Sequence, residues 1–402
     1  MLHYLEARHQ VIEAVRRRAT RPAAEVVPLE ASLGRVLAEE VSADRDYPPF
    51  DRSTRDGFAV RAADLGQVPA TLKCLGEIKA GEAFPGTVAS GECVQIMTGA
   101  PVPAGADAVV MIEHTELKGE QVVVKRSVER GANVVPRGSE AGAGASLLAA
   151  GTRIGYPEIS LLGQVGKAHV QVYRRPRVAV LSTGDEVVAV EARPGPNQIR
   201  NSNTYSMAAQ VLLSGGEPVL LGNARDEVGE LERLIRRGLE EDLLVLSGGV
   251  SMGKHDLVEV VLRKLGAEFV FDAVAIRPGR PAVFGRCQGK FVFGLPGNPV
   301  STMVTFLLFV APALALLGGA APPPLRFLKA RLAEPVKQTT QLTLFLPARL
   351  EGQGGEVQAR VLPWQGSGDV VALAGSDCFV VAPEGAGELA AGGWVDVLPR
   401  NG

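Results

Sequence analysis

Residues 242–267 read DLLVLSGGVSMGKHDLVEVVLRKLGA. The unbroken apolar run Leu243 to Leu246 has the length of a buried strand. A glycine-rich loop follows, with Gly248, Gly249 and Gly253. Apolar residues then recur at helical spacing through DLVEVVLRKL, and Gly266 stands where a helix stops. Strand, loop and helix in this order make one repeat of a parallel α/β sheet. The alternation continues on both sides. VAVLS precedes TYSMAAQVLLSGG, EPVLLG precedes EVGELERLIRRGLEED, and KFVFGLPG precedes an apolar stretch at 300–317. A parallel α/β domain is therefore expected over 173–321.

Working outward, residues 46–141 carry short β-rich runs (GFAV, TLKCLGEI, GECVQIM, DAVVMIE, QVVVK), each punctuated by glycine or proline. That pattern predicts a small β domain. The flanks, 1–45 and 142–172, mix helical and extended segments, so the β domain is expected to be inserted into a mixed N-terminal domain. PPPLRF at 322–327 marks a linker, and 322–402 is strand-like again, which fits a C-terminal β barrel. A chain of 402 residues is too long for one ordinary core, in keeping with this α/β multidomain division.

Composition narrows the function. The net charge is −2, with no basic bias, so a nucleic-acid surface is not indicated. Four widely spaced cysteines without a CxxC pair suggest a reducing, cytoplasmic setting rather than a disulfide framework. VSTMVTFLLFVAPALALL is long enough to be a membrane span. Its hydroxyl-bearing start, its internal Pro312 and its position directly after a strand and turn instead predict a buried helix of the sheet.

The opening loop nearly matches a nucleotide P-loop, from Gly248 to Gly253 and Lys254. A P-loop needs Ser or Thr next to hold magnesium. This chain has His255, and neither FDAVAIRPG nor KFVFGLPG ends in the second aspartate that such a site requires. Direct carboxylate chemistry is the better reading. In an open parallel sheet ligands bind beyond the carboxyl ends of the strands. That rim would gather Asp185 and Glu186 of STGDEV with Asp256, and two or three carboxylates suit Mg²⁺ with waters and a substrate phosphate. Gly248 and Gly249 would turn backbone N–H groups toward that phosphate. Asp256 equally suits the N-cap of the following helix.

Two other segments suggest anion binding. In GLPGNPVS, Pro296 and Pro299 stiffen a turn that leads to Ser301 at a helix start. IRPGRP offers the guanidinium groups of Arg277 and Arg280, although a rigid turn with solvated arginines also fits. In the β insert, Asp56-Gly57 and Thr98-Gly99 read first as turns.

FDRSTRDGFAV, IMTGAPVPAGADAVV, VLSTGDEVV, NSNTYSM, SGGVSMGKHD, IRPGRPAVFG, GLPGNPVS and QGSGDV follow one another along the chain. In this order they resemble the MoeA-type molybdopterin molybdenumtransferases and the E domain of gephyrin, from about residue 5 to the C-terminus. The resemblance implies a domain similar to the molybdopterin adenylyltransferase fold and a head-to-tail homodimer with its active site between subunits. The implied reaction takes adenylylated molybdopterin and molybdate to molybdenum cofactor and AMP, with Mg²⁺ held by Asp56, Glu186 and Asp256. Thr98 joins these three as a catalytic candidate. Substrate contacts are implied for Ser182, Gly248, Gly249 and Ser251 on one side. Arg277, Arg280, Pro296, Pro299 and Ser301 form the oxyanion side, and Glu140 lies in the insert. The chain departs from the family pattern at Glu140, where an aspartate is usual, at Arg55, and near Thr339 and Gly375. A non-catalytic molybdopterin scaffold and a molybdopterin adenylyltransferase are the alternatives.

Overall fold

The computed structural model describes residues 1–79, 81–249, 257–352 and 357–400. The chain divides into two compact units, one of residues 1–38, 151–156 and 169–402, the other of 39–150 and 157–168.

The first unit is built on a six-stranded sheet. Its strand order is Glu217–Ala224, Arg177–Thr183, Leu243–Ser247, Lys290–Leu295, Pro281–Cys287 and Glu268–Ala273. The first four run parallel, as the alternation of apolar runs and helices predicts. Pro281–Cys287 lies antiparallel to both its neighbours, so the sheet is mixed at one edge. The reason is local. Only the turn at Gln288 and Gly289, both at positive φ, separates Cys287 from Lys290, and so short a connection makes a hairpin, not a crossover.

The helix that begins at Pro299 is a core element. It runs 19 residues, to Leu317, and 72% of its apolar window is buried. Its middle, Phe306–Val310, is π-helical. Pro312 has no N–H to donate, so the carbonyl of Leu308 needs another partner. Arg8, on the helix Tyr4–Arg16, supplies it. Its guanidinium donates to the Leu308 oxygen at 2.7 Å and also to the carbonyl of Pro323. Burial pushes the Arg8 guanidinium down to about 10, still protonated at neutral pH. One buried cation therefore ties the N-terminal helix to the wound segment.

The C-terminal strands close into a barrel. Thr343–Glu351, Gln358–Val361, Leu328–Leu332, Trp394–Pro399 and Cys378–Ala382 pair in turn, and the last returns to the first. Ile276–Arg277 adds to the barrel strand at Thr343 and joins barrel to sheet.

The second unit carries a six-stranded sheet in the order Ala108–Met111, Gly57–Val60, Glu92–Ile96, Ala70–Ile78, Gln121–Val124 and Thr115–Lys118. The β-rich runs of the sequence all become strands here. Phe58, Val60, Cys93 and Val110 fill one apolar layer, and Ala59, Val94, Ile96 and Val109 another. This is the period of two that a sheet covered on both faces requires.

Candidate functional site

A cleft of about 910 Å³ opens at the carboxyl ends of the parallel strands, within the ordinary size of small-molecule sites. Thr183 and Ser247 end two of those strands, and the loops beyond them supply Glu186, Gly248 and Gly249. The turn Pro296, Gly297, Asn298 and Pro299, which follows the neighbouring strand, lines the cleft beside them. Six sequence candidates thus share one cavity: Ser182, Glu186, Gly248, Gly249, Pro296 and Pro299. Ser251 and Asp256 lie outside the described residues.

The glycines are there for space. Gly248 has φ +94°, and a Cβ on it would sit 2.6 Å from the Thr183 carbonyl oxygen. Gly249 has φ +63°, and its Cβ would meet the Val258 side chain at 2.6 Å. Any side chain would push the turn away from the strand end that it covers.

Hydrogen bonds lace the loops together. Asn203, the first residue of its helix, donates from Nδ2 to the Gly297 carbonyl at 2.7 Å and to Ser247 Oγ at 2.8 Å. The Pro296 carbonyl accepts from Ser247 Oγ at 3.1 Å and from Thr302 Oγ1 at 2.6 Å. Ser182 Oγ lies 2.7 Å from Thr204 Oγ1 and donates to Asn201 Oδ1 at 3.2 Å. The QGSGDV turn reaches the Pro296–Pro299 turn. Asn298 Nδ2 donates to Ser367 Oγ at 2.8 Å, and the Val300 N–H donates to the Ser367 carbonyl at 3.0 Å. Gly368 and Val370 line the cleft beside it. Asp369 holds this turn by accepting from the N–H groups of Gln365 and Ala372, both at 3.0 Å.

Three charged side chains line the cleft among the described residues, the carboxylates Glu186 and Asp226 and the guanidinium of Arg200. The Asp226 N–H donates to Asp185 at 3.1 Å. Burial, with the neighbouring charges of Asp185 and Glu186, raises the Asp226 carboxyl above the ordinary aspartate value. Among the described residues no group of three or more metal-ligating side chains lies together.

Arg277, Arg280 and Ser301 are placed differently. Arg277 and Arg280 are exposed, flanking a Pro278-Gly279 turn, and Pro281 is the residue of that segment that lines the cleft. Ser301 is only 3% exposed, inside the first turn of its helix. In the second unit Asp56 and Thr98 form a direct pair. Asp56 Oδ1 accepts from the Thr98 N–H at 2.6 Å and from its hydroxyl at 2.7 Å. Those two bonds, the hydroxyl first, hold the Asp56 carboxyl below its usual value. Glu140, exposed, pairs with Arg52 at 2.7 Å.

Three family models cover nearly the whole chain. The MoeA N-terminal region (domain I and II) matches residues 2–166, a probable molybdopterin binding domain matches 179–316, and the MoeA C-terminal region (domain IV) matches 329–399. A molybdopterin molybdenumtransferase of Bacillus subtilis is 36% identical over 383 residues, 93% of this chain and 89% of that one. The chain belongs to the MoeA family. A second molybdopterin molybdenumtransferase, from a Nostoc species, is 39% identical over 305 residues, 74% of this chain and 70% of its own length. A molybdopterin biosynthesis MoeA structure from Pyrococcus horikoshii matches with a TM-score of 0.80 at 29% identity, covering 99% of this chain and all of the other. Another, at 35% identity, has a TM-score of 0.75 and covers 98% of each. As a member of this family the chain is a transferase of molybdenum cofactor biosynthesis.

Within this MoeA-family cleft, sequence reasoning missed Asp226, Asn203 and Ser367. Asp226 follows the strand Glu217–Ala224, whose loop opens on the same rim as the others. Its position just past a parallel strand was the available signal. Asn203 and Ser367 stand inside segments that carried the family resemblance, but their partners are about 94 and 69 positions away in sequence. No local pattern reveals such pairs.

Proposed function

We propose that this chain transfers molybdenum from molybdate to adenylylated molybdopterin with release of AMP, in the cytoplasm, with Mg²⁺ as its metal. The observation that carries this reading is the cleft itself. The carboxylates of Glu186 and Asp226 share one cavity with the Gly248-Gly249 and Pro296–Pro299 turns, at the carboxyl rim of the region that matches a probable molybdopterin binding domain.

The donor set fits a hard cation. Glu186 and Asp226 share one cleft, and the Asp226 carboxyl is raised first by burial and then by the charges of Asp185 and Glu186. An oxygen-ligated divalent ion would offset those charges. Glu186 would hold Mg²⁺ together with Asp256 and Asp56, and Asp226 would stand beside them. The ion would supply charge neutralisation at the substrate diphosphate. The Gly248 N–H is spent on the Leu295 carbonyl at 3.1 Å, so of the two glycines it is Gly249 that would offer a backbone N–H to a phosphate. The Pro296–Pro299 turn, held by Asn203 and Ser367, gives the substrate a fixed wall. Arg277, Arg280 and Ser301 are the proposed attraction for molybdate, a dianion.

The protein would work as a homodimer in which Asp56 and Thr98 of one subunit complete the site of the other. The four cysteines are free thiols, as suits a reducing compartment.

The test is product stoichiometry. Purified protein given adenylylated molybdopterin, Mg²⁺ and molybdate should yield AMP and molybdenum-loaded pterin in equal amounts. Tight binding without turnover would mark a scaffold, and ATP-dependent adenylylation of free molybdopterin would mark an adenylyltransferase.

A further inference from the structure

Asn203 is held in one orientation. Its Nδ2 lies 2.7 Å from the Gly297 carbonyl oxygen, which only accepts, so the amide nitrogen and not the oxygen must face it. Its second hydrogen goes to Ser247 Oγ at 2.8 Å, and that hydroxyl in turn donates to the Pro296 carbonyl. Both donors are therefore committed to the protein. The other end of the amide is not. Among the described residues no donor reaches Asn203 Oδ1, which is buried although the residue lines the cleft. Thr183 Oγ1 is a second buried atom of this cleft that finds no partner among the described residues, on a residue 4% exposed.

A buried acceptor left unpaired is costly, and turning the amide over would break two bonds to satisfy one atom. A ligand that brings an N–H to this wall removes the cost. One that brings a carbonyl there meets a like dipole. This asymmetry is the means by which a site rejects a close analogue that lacks one donor.

We propose that Asn203 is a specificity-determining residue: its Oδ1 accepts a hydrogen bond from an exocyclic amino group on a heteroaromatic ring of the substrate. The inference rests on the substrate reading above. Adenylylated molybdopterin carries two such groups, the 2-amino group of the pterin and the 6-amino group of the adenine. Both share the chemistry that Asn203 would read, and both have analogues with oxygen in place of the amino group.

The experiment is a binding comparison in two arms, read by ligand fluorescence for the pterins and by calorimetry for the nucleotides. One arm compares pterin-6-carboxylate with lumazine-6-carboxylate, the other AMP with inosine monophosphate. Wild-type protein should bind the amino ligand about tenfold tighter than its oxo counterpart in one arm. Asn203→Ala should bring that ratio close to one. Asn203→Asp, which keeps an acceptor, should preserve the preference even if overall affinity falls, and it separates recognition from a general loosening of the wall. The arm that shows the effect identifies the ring. Wild-type preference that survives in Asn203→Ala in both arms, or no preference in either, overturns the proposal while leaving the substrate reading intact. A wild-type protein that binds neither pterin nor nucleotide overturns the substrate reading and this one with it.

Discussion

Asp56 and Thr98 lie 42 positions apart in sequence and meet through two hydrogen bonds on one carboxylate oxygen, at 2.6 and 2.7 Å. Each alone reads as the first half of a glycine turn. Together they make a carboxylate fixed in direction and kept ionised, and both bonds come from a single residue. Thr98→Val should remove the stronger of the two causes and let the Asp56 carboxyl rise toward its ordinary 3.8, as read by NMR titration. The sign follows from the lowered native value. The bonds stabilise the fold above the unfolded pKa, and that contribution is lost as pH falls through the native one. Activity should drop about tenfold in Thr98→Val, as for a hydrogen bond to a charged group, and recover in Thr98→Ser. An unshifted titration in Thr98→Val would show that the hydroxyl does not set this carboxylate.

Ser367 connects the barrel to the cleft. Ser367→Ala leaves the backbone bond to Val300 in place and removes only the acceptor for Asn298. One neutral hydrogen bond is worth about 1 kcal/mol, so substrate KM should rise about fivefold with kcat nearly unchanged. Ser367→Thr should restore it. An unaltered KM would mean that Asn298 holds its position without the barrel.

Two glycines separate strain from crowding. Gly248 and Gly266 have similar φ, +94° and +85°, so alanine at either costs about 1–2 kcal/mol of backbone strain. At Gly266 nothing lies within 4 Å of the added carbon, whereas at Gly248 the Thr183 carbonyl is 2.6 Å away. Gly266→Ala should lower thermal stability slightly and leave substrate affinity alone. Gly248→Ala should lose more stability and also lose substrate binding. Equal behaviour of the two variants would remove the close approach from the account.

The shared site can be tested by mixing variants. Asp56→Ala and Glu186→Ala should each be inactive alone. If each site takes Asp56 from one subunit and Glu186 from the other, random reassembly of the two variants restores about a quarter of wild-type activity, because half the dimers regain one site of two. No recovery, with subunit exchange verified, would show that each site belongs to a single chain.

Much of this was legible in the sequence, for physical reasons. Strands such as Leu243–Ser247 announce themselves because a parallel sheet buries both faces. The Gly248-Gly249 turn does so because only glycine fits. The antiparallel strand Pro281–Cys287 was not legible, since its apolar run looks the same in either direction. In the π-helical turn at Phe306–Val310, the Leu308 carbonyl is met by Arg8, about 300 positions earlier. Asp226 looked like one surface acid among many until the sheet placed it beside Glu186. Local chemistry is written in local sequence, but the partners of Asn203, Asn298 and Asp56 are set by packing over long separations.

If anhydride cleavage is tied to metal transfer, AMP release must depend on molybdate. AMP release from adenylylated molybdopterin should be measured with Mg²⁺ present, with and without molybdate, for wild-type protein and for Glu186→Gln. AMP should appear only when molybdate is added, and should be lost in the variant. AMP release that is the same with and without molybdate, or no release by the wild-type protein under either condition, would contradict it.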